Sequence, residues 1–120
     1  RYLLERGKYA PETGRVKYNA FMPPKKEAAV SVSRVDGLSE AEIWHIGTND
    51  VAAPRGMTLH GRANIKGVHT VRIGLRVEPS EPPPRHANIL GWPYERTKVQ
   101  LLATKLAEDS ILILCPDTAT

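Results

Sequence analysis

Proline and glycine most restrict how this chain can fold. The 120 residues include ten prolines and nine glycines, and three of the prolines are consecutive at positions 82–84. Proline lacks the backbone N–H that helices and sheet interiors need, and glycine weakens both kinds of element. We therefore expect several short strands and helices joined by stiff turns, with a semi-rigid extended connector over residues 78–84.

The overall composition is that of one folded domain. Hydrophobic residues make up 41% of the chain and charged residues 25%, which predicts a modest core and disfavours intrinsic disorder. The longest apolar run, residues 111–115, is too short to cross a bilayer, and the first residues carry no signal-peptide pattern. A single cysteine, Cys115, cannot form an internal disulfide. These features favour a cytoplasmic location without membrane contact.

Positive charge is unevenly distributed along the sequence. The net charge is +4 and the sequence pI is about 9.4. Residues 1–34 hold eight basic residues (Lys or Arg) and three acidic ones. Residues 35–60 hold one basic and four acidic residues, and residues 61–77 hold four basic residues and no acidic one. If the two basic segments fold together, they form a patch that suits phosphate groups.

The first 27 residues predict a hairpin followed by an extended arm. A proline-started, glycine-ended turn at residues 11–14 separates two short strands. Residues 21–26 leave as an extended connection, because their two prolines cannot donate to a sheet. We expect the remaining residues, 28–120, to form an α+β core and the whole chain to form one domain.

Residues 39–47 predict the first helix of that core. Ser39 and Glu42 have capping-box spacing, in which each side chain bonds to the backbone N–H of the other residue. Gly47 offers a left-handed stop, unless the helix continues toward Val51.

Residues 97–110 predict a second helix. Thr97 and Gln100 have capping-box spacing, and apolar residues follow at helical intervals. The chain is therefore expected to form a mixed or antiparallel sheet packed by two helices. The expected strands are residues 28–35, 57–60, 86–92 and 111–114.

A stretch between the helices allows two interpretations. Apolar residues alternate with arginine or glycine over residues 71–77, which favours a strand with Arg72 and Arg76 facing outward. The competing interpretation is a short helix over residues 64–73 that Gly74 ends. The number of alternating positions favours the strand.

A strand at this position has a functional consequence. Arg72 and Arg76 then share a face and lie roughly 13 Å apart, about two phosphates along a single nucleic-acid strand. Arg62 and Lys66 extend the same basic stripe. The alternative is a solvated sheet face without a ligand.

Aromatic and basic residues alternate near the start of the chain. Four of the seven aromatic residues lie in the first 21 residues, among five lysines and arginines. Single-stranded nucleic acid is bound by such surfaces, because cations neutralise phosphates while exposed rings stack on bases. Arg15, Lys17 and Tyr18 are the candidate contacts. In the alternative interpretation, Tyr9 and Tyr18 pair across the hairpin and cover the core.

The histidines suggest a catalytic hypothesis. Metal-independent ribonucleases need a base, an acid and a cation near the phosphate, and histidine and arginine suit these roles. The candidates are His86 and His60 for proton transfer, with Arg85 or Arg72 as the cation. Alternatively, His86 and Asn88 are polar residues at a strand edge. No sequence-local zinc signature is present, so no metal or other cofactor is predicted.

Three functions remain open at this point. The first is binding of nucleic acid, with RNA favoured over DNA, together with metal-independent RNA cleavage of the kind that toxins perform. The second is a non-catalytic module with charge-segregated surfaces that binds a protein partner or a second copy of itself. The third is a small-molecule enzyme with a pocket around His86, Asn88 and Trp92. Phosphate-binding glycine loops, nucleophile elbows and paired-carboxylate signatures are absent from the sequence.

Overall fold

The computed structural model describes residues 1–116, and this part of the chain confirms the predicted α+β class. Its radius of gyration is 13.8 Å, close to the about 13.6 Å expected for one compact domain of this length. Residues 117–120 lie outside the described part, so the predicted 28–120 core is described as far as residue 116. The strands are β1 (Tyr2–Leu3), β2 (Tyr9–Ala10), β3 (Arg15–Val16), β4 (Val30–Ser33), β5 (Gly61–Asn64), β6 (Arg76–Pro79), β7 (His86–Leu90) and β8 (Ile111–Leu114). The α-helices are α1 (Glu40–Ile46), α2 (Gly67–Arg72) and α3 (Arg96–Asp109).

Strand β7 is the middle strand of an antiparallel sheet, with β4 on one side and β6 on the other. Val30 and Val32 of β4 lie opposite Ile89 and Ala87, and all four side chains are buried. Because successive residues of a strand face opposite sides, the alternate positions form a polar, partly exposed outer face. The strands predicted around these residues are confirmed.

A second antiparallel sheet has β5 between β1 and β8. The strand predicted at residues 111–114 is confirmed as β8. The strand predicted at residues 57–60 instead forms at Gly61–Asn64. The reason is that the N–H of Met57 still bonds to the Ala52 carbonyl, closing the helical segment that precedes the sheet.

The predicted N-terminal hairpin is confirmed as β2 and β3, which pair around the turn at residues 11–14. Tyr9 lies opposite Val16 rather than Tyr18. Tyr18 belongs instead to a 3₁₀ turn, Tyr18–Phe21, which buries Phe21 completely. The predicted pairing of Tyr9 with Tyr18 across the hairpin is therefore wrong, because the strand ends before Tyr18.

The capping box predicted for α1 is confirmed. The N–H of Glu42 donates to the Ser39 hydroxyl at 3.2 Å, and the N–H of Ser39 donates to the Glu42 carboxylate at 3.1 Å. Gly47 is not a left-handed stop, since its φ is −60° and the chain continues as a π-helical segment over Gly47–Ala52. Glycine is needed there because a Cβ atom would lie 2.5 Å from the Tyr2 ring.

The strand predicted over residues 71–77 is wrong, and the short-helix interpretation is correct. Helix α2 ends at Arg72, inside this stretch, and β6 begins only at Arg76, after Gly74. Gly74 has φ +87° and donates its N–H to the Val71 carbonyl, which ends the helix. Val71 is 64% exposed, whereas Leu75 is buried and Ile73 and Val77 pack against the core, so Val71 is the apolar residue that departs from the burial expected of a strand.

The helix predicted at residues 97–110 is confirmed as α3, but its capping box is wrong. The helix begins at Arg96, and the cap residue is Glu95, whose side chain makes no capping hydrogen bond. Thr97 therefore lies inside the first turn. The buried face of α3 consists of Val99, Ala103, Leu106 and Ala107.

The core joins both three-stranded sheets to α3 and to the turn before β4. Leu3, Phe21, Val30, Ile89 and Leu106 belong to one cluster, and each is at most 1% exposed. Burying a side chain of this kind contributes about 1.5–3 kcal/mol. No helix within residues 1–116 has the length and apolar character that a membrane span requires.

Candidate functional site

A cleft of about 730 Å³ beside the N-terminal hairpin collects positive charge. We call it the basic cleft and define it by the four cations that line it. Glu27 is the acid that accompanies them, and Tyr18, Asn19 and Gln100 add uncharged polar groups. The four cations are Arg1, Lys8, Arg55 and Arg96.

Three of the four cations are held by backbone carbonyl groups. The Arg1 guanidinium donates to the carbonyls of Ala20 at 2.9 Å and Ser31 at 3.0 Å. Lys8 donates to Asn19 at 3.2 Å. In the same way, Arg96 donates to the carbonyl of Pro23 at 3.2 Å. These acceptors fix the side chains but carry no formal charge, so they leave the positive charge uncompensated.

The positive charge of the basic cleft is also not compensated by the ion pairs that the described residues form. They join Arg34 to Glu81, Arg62 to Glu40, Arg76 to Glu78 and Lys98 to Glu95. None of the four cleft cations takes part in these pairs. Burial lowers the pKa of the Arg1 guanidinium, and the nearby charge of Arg55 lowers it further. The charge of Glu5 acts in the opposite direction, and an anion placed in the cleft would favour the charged form of Arg1 further.

Of the three predicted hairpin contacts, one lines the basic cleft. Tyr18 lies at the cleft and is 41% exposed, so its ring is accessible to a ligand. Arg15 and Lys17 are exposed on or next to β3 and do not line the cleft.

A second cleft, of about 900 Å³, has mostly apolar walls, and we call it the apolar cleft. Lys66, one of the predicted nucleic-acid contacts, is exposed at its rim. Ser33, Asn64 and His69 provide further polar groups. The apolar wall consists of Val32, Ile43, Ile65, Val68, Val77 and Ile111.

Arg62 also lines the apolar cleft, but its charge is balanced inside the protein. Its guanidinium donates to both carboxylate oxygens of Glu40, at 2.7 and 3.0 Å, and to Asn64 at 3.1 Å. It also lies 4.6 Å from the centre of the Trp44 ring, a cation–π contact. The hydrogen bond from Arg62 lowers the pKa of the Glu40 carboxyl. Arg62 was predicted to contact phosphate, but all three of its guanidinium nitrogens already donate hydrogen bonds within the protein.

The remaining predicted basic residues lie apart from both clefts. Arg72 is exposed on α2, and Arg76 lies on β6, where it pairs with Glu78 at 3.5 Å. Because one residue is helical and the other is in a strand, they do not form the predicted stripe with Arg62 and Lys66.

Arg85 holds the loop between β6 and β7 together. Its φ is +67°, a left-handed conformation that is uncommon for arginine. Its N–H donates to the Glu81 carboxylate at 2.8 Å, and its guanidinium donates to the carbonyls of Arg34 and Asp36 at 3.3 and 3.1 Å. Arg85, which was predicted as a catalytic cation, therefore stabilises this loop.

His86 has a defined proton position. Its Nδ1 lies 2.6 Å from the Ser80 carbonyl oxygen, which can only accept a hydrogen bond. Nδ1 must therefore carry the proton, which leaves the lone pair of the neutral ring on Nε2. His86 lies opposite Ser33 in the sheet, and Asn88 lies on the same face. This tautomer is the one that a general base working through Nε2 requires.

His60 lies in the other sheet, just before β5. Its N–H and carbonyl bond to Leu3 and Cys115, and its ring centre is 6.1 Å from that of Tyr9. In the part of the chain that the structure describes, no hydrogen bond, ring contact or described cleft joins His60 to His86. The catalytic role of His86, His60, Arg85 and Arg72 therefore stays a prediction.

Other reactive groups are few within residues 1–116. These residues contain no cluster of three or more His, Cys, Asp or Glu arranged for a metal ion. Burial raises the pKa of the Cys115 thiol, and its Sγ donates to the Leu59 carbonyl at 3.3 Å. A protonated, hydrogen-bonded thiol is a poor nucleophile.

Sequence reasoning missed Arg55 and Arg96 as members of the basic cleft. Arg55 lies in the segment that is acidic overall, so counting charge along the chain concealed it. Arg96 occupies the first position of α3, where the helix dipole disfavours a cation. This position was not visible in the sequence, because Thr97 was the predicted cap of that helix.

Comparison of this chain with protein-family models, curated proteins and solved structures gave no match.

Proposed function

We propose that this protein binds single-stranded nucleic acid, RNA in preference to DNA, through the basic cleft. The observation that supports this proposal most strongly is the grouping of Arg1, Lys8, Arg55 and Arg96 around one cleft without ion pairs to carboxylates in the described residues. Phosphate groups are the anions that such arginine-rich sites favour. The single cysteine favours a cytoplasmic setting for this activity.

Single strands are favoured over duplexes for two reasons. The exposed Tyr18 ring next to the cations suits an unstacked base, which a duplex does not offer. Helix α1 starts with Glu40 and Glu42, and α2 has only six residues, so neither resembles a helix that reads the major groove. RNA is favoured because sequence-specific RNA recognition relies on splayed bases stacked on aromatic side chains.

The dependence of affinity on salt tests this proposal. We expect labelled single-stranded RNA to bind with a log–log slope of about −2 to −3, because three or four phosphates are neutralised. Removing two cations in Arg55→Gln/Arg96→Gln should reduce the slope by about 1.4. Fluorescence anisotropy between 50 and 200 mM salt provides the measurement, with Lys105→Gln on the exposed face of α3 as a matched control. Absence of binding at low salt, or an unchanged slope in the double variant, would contradict the proposal.

Metal-independent cleavage of the bound RNA is a second proposal, and the tautomer of His86 supports it. His86 lies directly across from Ser33, which lines the apolar cleft, and such pairs have Cα atoms about 4.5–5.5 Å apart. With chelator present, we expect His86→Ala to reduce cleavage about 100-fold or more. His60→Ala tests the predicted partner, and His45→Ala on α1 is the control. Equal activity in all of these variants would contradict histidine catalysis.

A non-catalytic interaction module is the alternative, and β8 favours it. In the described residues β8 pairs on one side only, with β5, and its residues are all apolar. Ile111 and Leu114 are 62% and 43% exposed, which is typical of an edge that accepts another strand. Light scattering tests whether the partner is a second copy, since a mass of 13.3 kDa would contradict self-association.

A further inference from the structure

The two clefts are neighbouring parts of one groove along the free edge of β4. Strand β4 is an edge strand, with β7 on its paired side. Ser31 lines the basic cleft, and the next two residues, Val32 and Ser33, line the apolar cleft. Arg1 lines both clefts. A ligand chain that leaves the basic cleft along β4 therefore passes directly into the apolar cleft.

Two features of the edge disfavour a peptide as the occupant. A peptide strand added to β4 would need its outward carbonyl groups as acceptors. The Ser31 carbonyl already accepts a hydrogen bond from Arg1 at 3.0 Å. The four cations of the adjoining basic cleft also form no ion pair with a carboxylate in the described residues, and a polyanion supplies such partners whereas an ordinary peptide does not.

The apolar cleft has the size and lining of a site for a small flat group. Its volume of about 900 Å³ lies within the range of small-molecule pockets. Its wall includes Ile65, Val68 and Val77, and the Arg62–Glu40 pair adds no net charge. The other charged residues of the lining are the two acids Asp36 and Asp109 and the three cations Arg1, Arg34 and Lys66. Asn64 provides a side-chain amide that can donate to a ring edge.

We infer that the apolar cleft is a base-binding subsite continuous with the basic cleft. A single-stranded nucleic acid whose phosphates bind Arg1 and Arg55 buries one unstacked base against Ile65, Val68 and Val77. This inference rests on the proposed function, since it assigns a second part of the same binding path. It implies that the protein recognises an oligonucleotide, including its bases, rather than any polyanion.

Comparison of a base-containing RNA with an abasic oligonucleotide of the same length tests the inference. Both probes carry the same phosphates, so binding through charge alone is equal for both. We expect the RNA to bind about tenfold more tightly, as measured by anisotropy at one salt concentration. Equal affinity would overturn the base subsite and the stacking of a base on Tyr18, while binding of the phosphates in the basic cleft stands. If neither oligonucleotide binds at low salt, the proposed function fails as well.

Two pairs of variants locate the base. Val68 lines the apolar cleft and Val71 lies on the same helix outside it, and both are more than half exposed. We expect Val68→Asn to remove most of the preference for RNA over the abasic probe and Val71→Asn to retain it. Ile111→Asn and Leu114→Asn on β8 repeat the comparison, with Ile111 in the cleft and Leu114 outside it. Equal effects within both pairs would overturn the inference.

Discussion

Arg62 and Arg55 show how the same side chain serves two purposes at the residue scale. Arg62 is 3% exposed, and Glu40 and Trp44 compensate its charge within the protein. Arg55 is exposed and has no ion pair in the described part of the chain. A cation without a carboxylate partner is available to a ligand, whereas a compensated, buried cation stabilises the fold.

Replacing Arg62 should therefore affect stability rather than phosphate binding. We expect Arg62→Ala to reduce the free energy of unfolding by about 2–3 kcal/mol, because it leaves a cavity and removes the contacts to Glu40 and Trp44. Its salt slope for RNA should equal that of the wild type. Urea unfolding and anisotropy measure the two quantities, and exposed Arg72→Ala is the control, expected within about 0.5 kcal/mol of the wild type. A stable variant with a shallower salt slope would show that Arg62 contacts phosphate.

The Glu40 carboxyl should make stability depend on pH. Arg62 lowers the pKa of Glu40 in the folded state, so protons bind more readily to the unfolded chain. This contribution is present above the unfolded pKa of about 4.5 and is lost as the pH falls through the folded value. The urea midpoints of the wild type and Glu40→Gln should therefore converge as the pH falls below about 4.5. Glu108→Gln, without an ion pair in residues 1–116, is the control, and a constant difference for Glu40→Gln would contradict this pH dependence.

At the scale of elements, local signals were predictable and competing patterns were not. The α1 capping box depends on Ser39 and Glu42 alone, so the sequence was enough to find it. The stretch over residues 71–77 was wrongly predicted as a strand because its alternating apolar residues resemble one. Gly74 and tertiary packing instead favour a short helix that ends before β6. Thr97 had an equally good capping pattern, but α3 starts one residue earlier. Local sequence does not decide between two such starts, because packing against the core contributes to the choice.

The end of α2 depends on a left-handed residue, and a glycine substitution tests this. We expect Gly74→Ala to destabilise the protein by about 1–2 kcal/mol, because its φ of +87° is strained for any residue with a Cβ atom. Gly67→Ala at the start of the same helix has no such φ and open space around it, so its effect should be neutral or slightly stabilising. Urea unfolding compares the two variants. Equal destabilisation would contradict this account of the helix end.

At the scale of the whole molecule, the basic cleft arises from packing between distant segments. Arg1 joins the turn before β4 to the free edge of β4, and α3 brings Arg96 to the same cleft. The excess of charge in residues 1–34 indicated part of the basic cleft, and Tyr18, which was predicted as a nucleic-acid contact, lies at this cleft. The contributions of Arg55 and Arg96 were not predictable from local charge, because only the tertiary fold places them beside the hairpin.

A titration of the ¹⁵N-labelled protein with a short single-stranded RNA tests the central claim most directly. Backbone chemical-shift changes should concentrate at the basic cleft, around Lys8, Tyr18, Arg55 and Arg96. The exposed residues of α2 that lie outside both clefts should change little. The absence of shift changes at low salt, or changes concentrated on α2 and β6 instead, would contradict binding at the basic cleft.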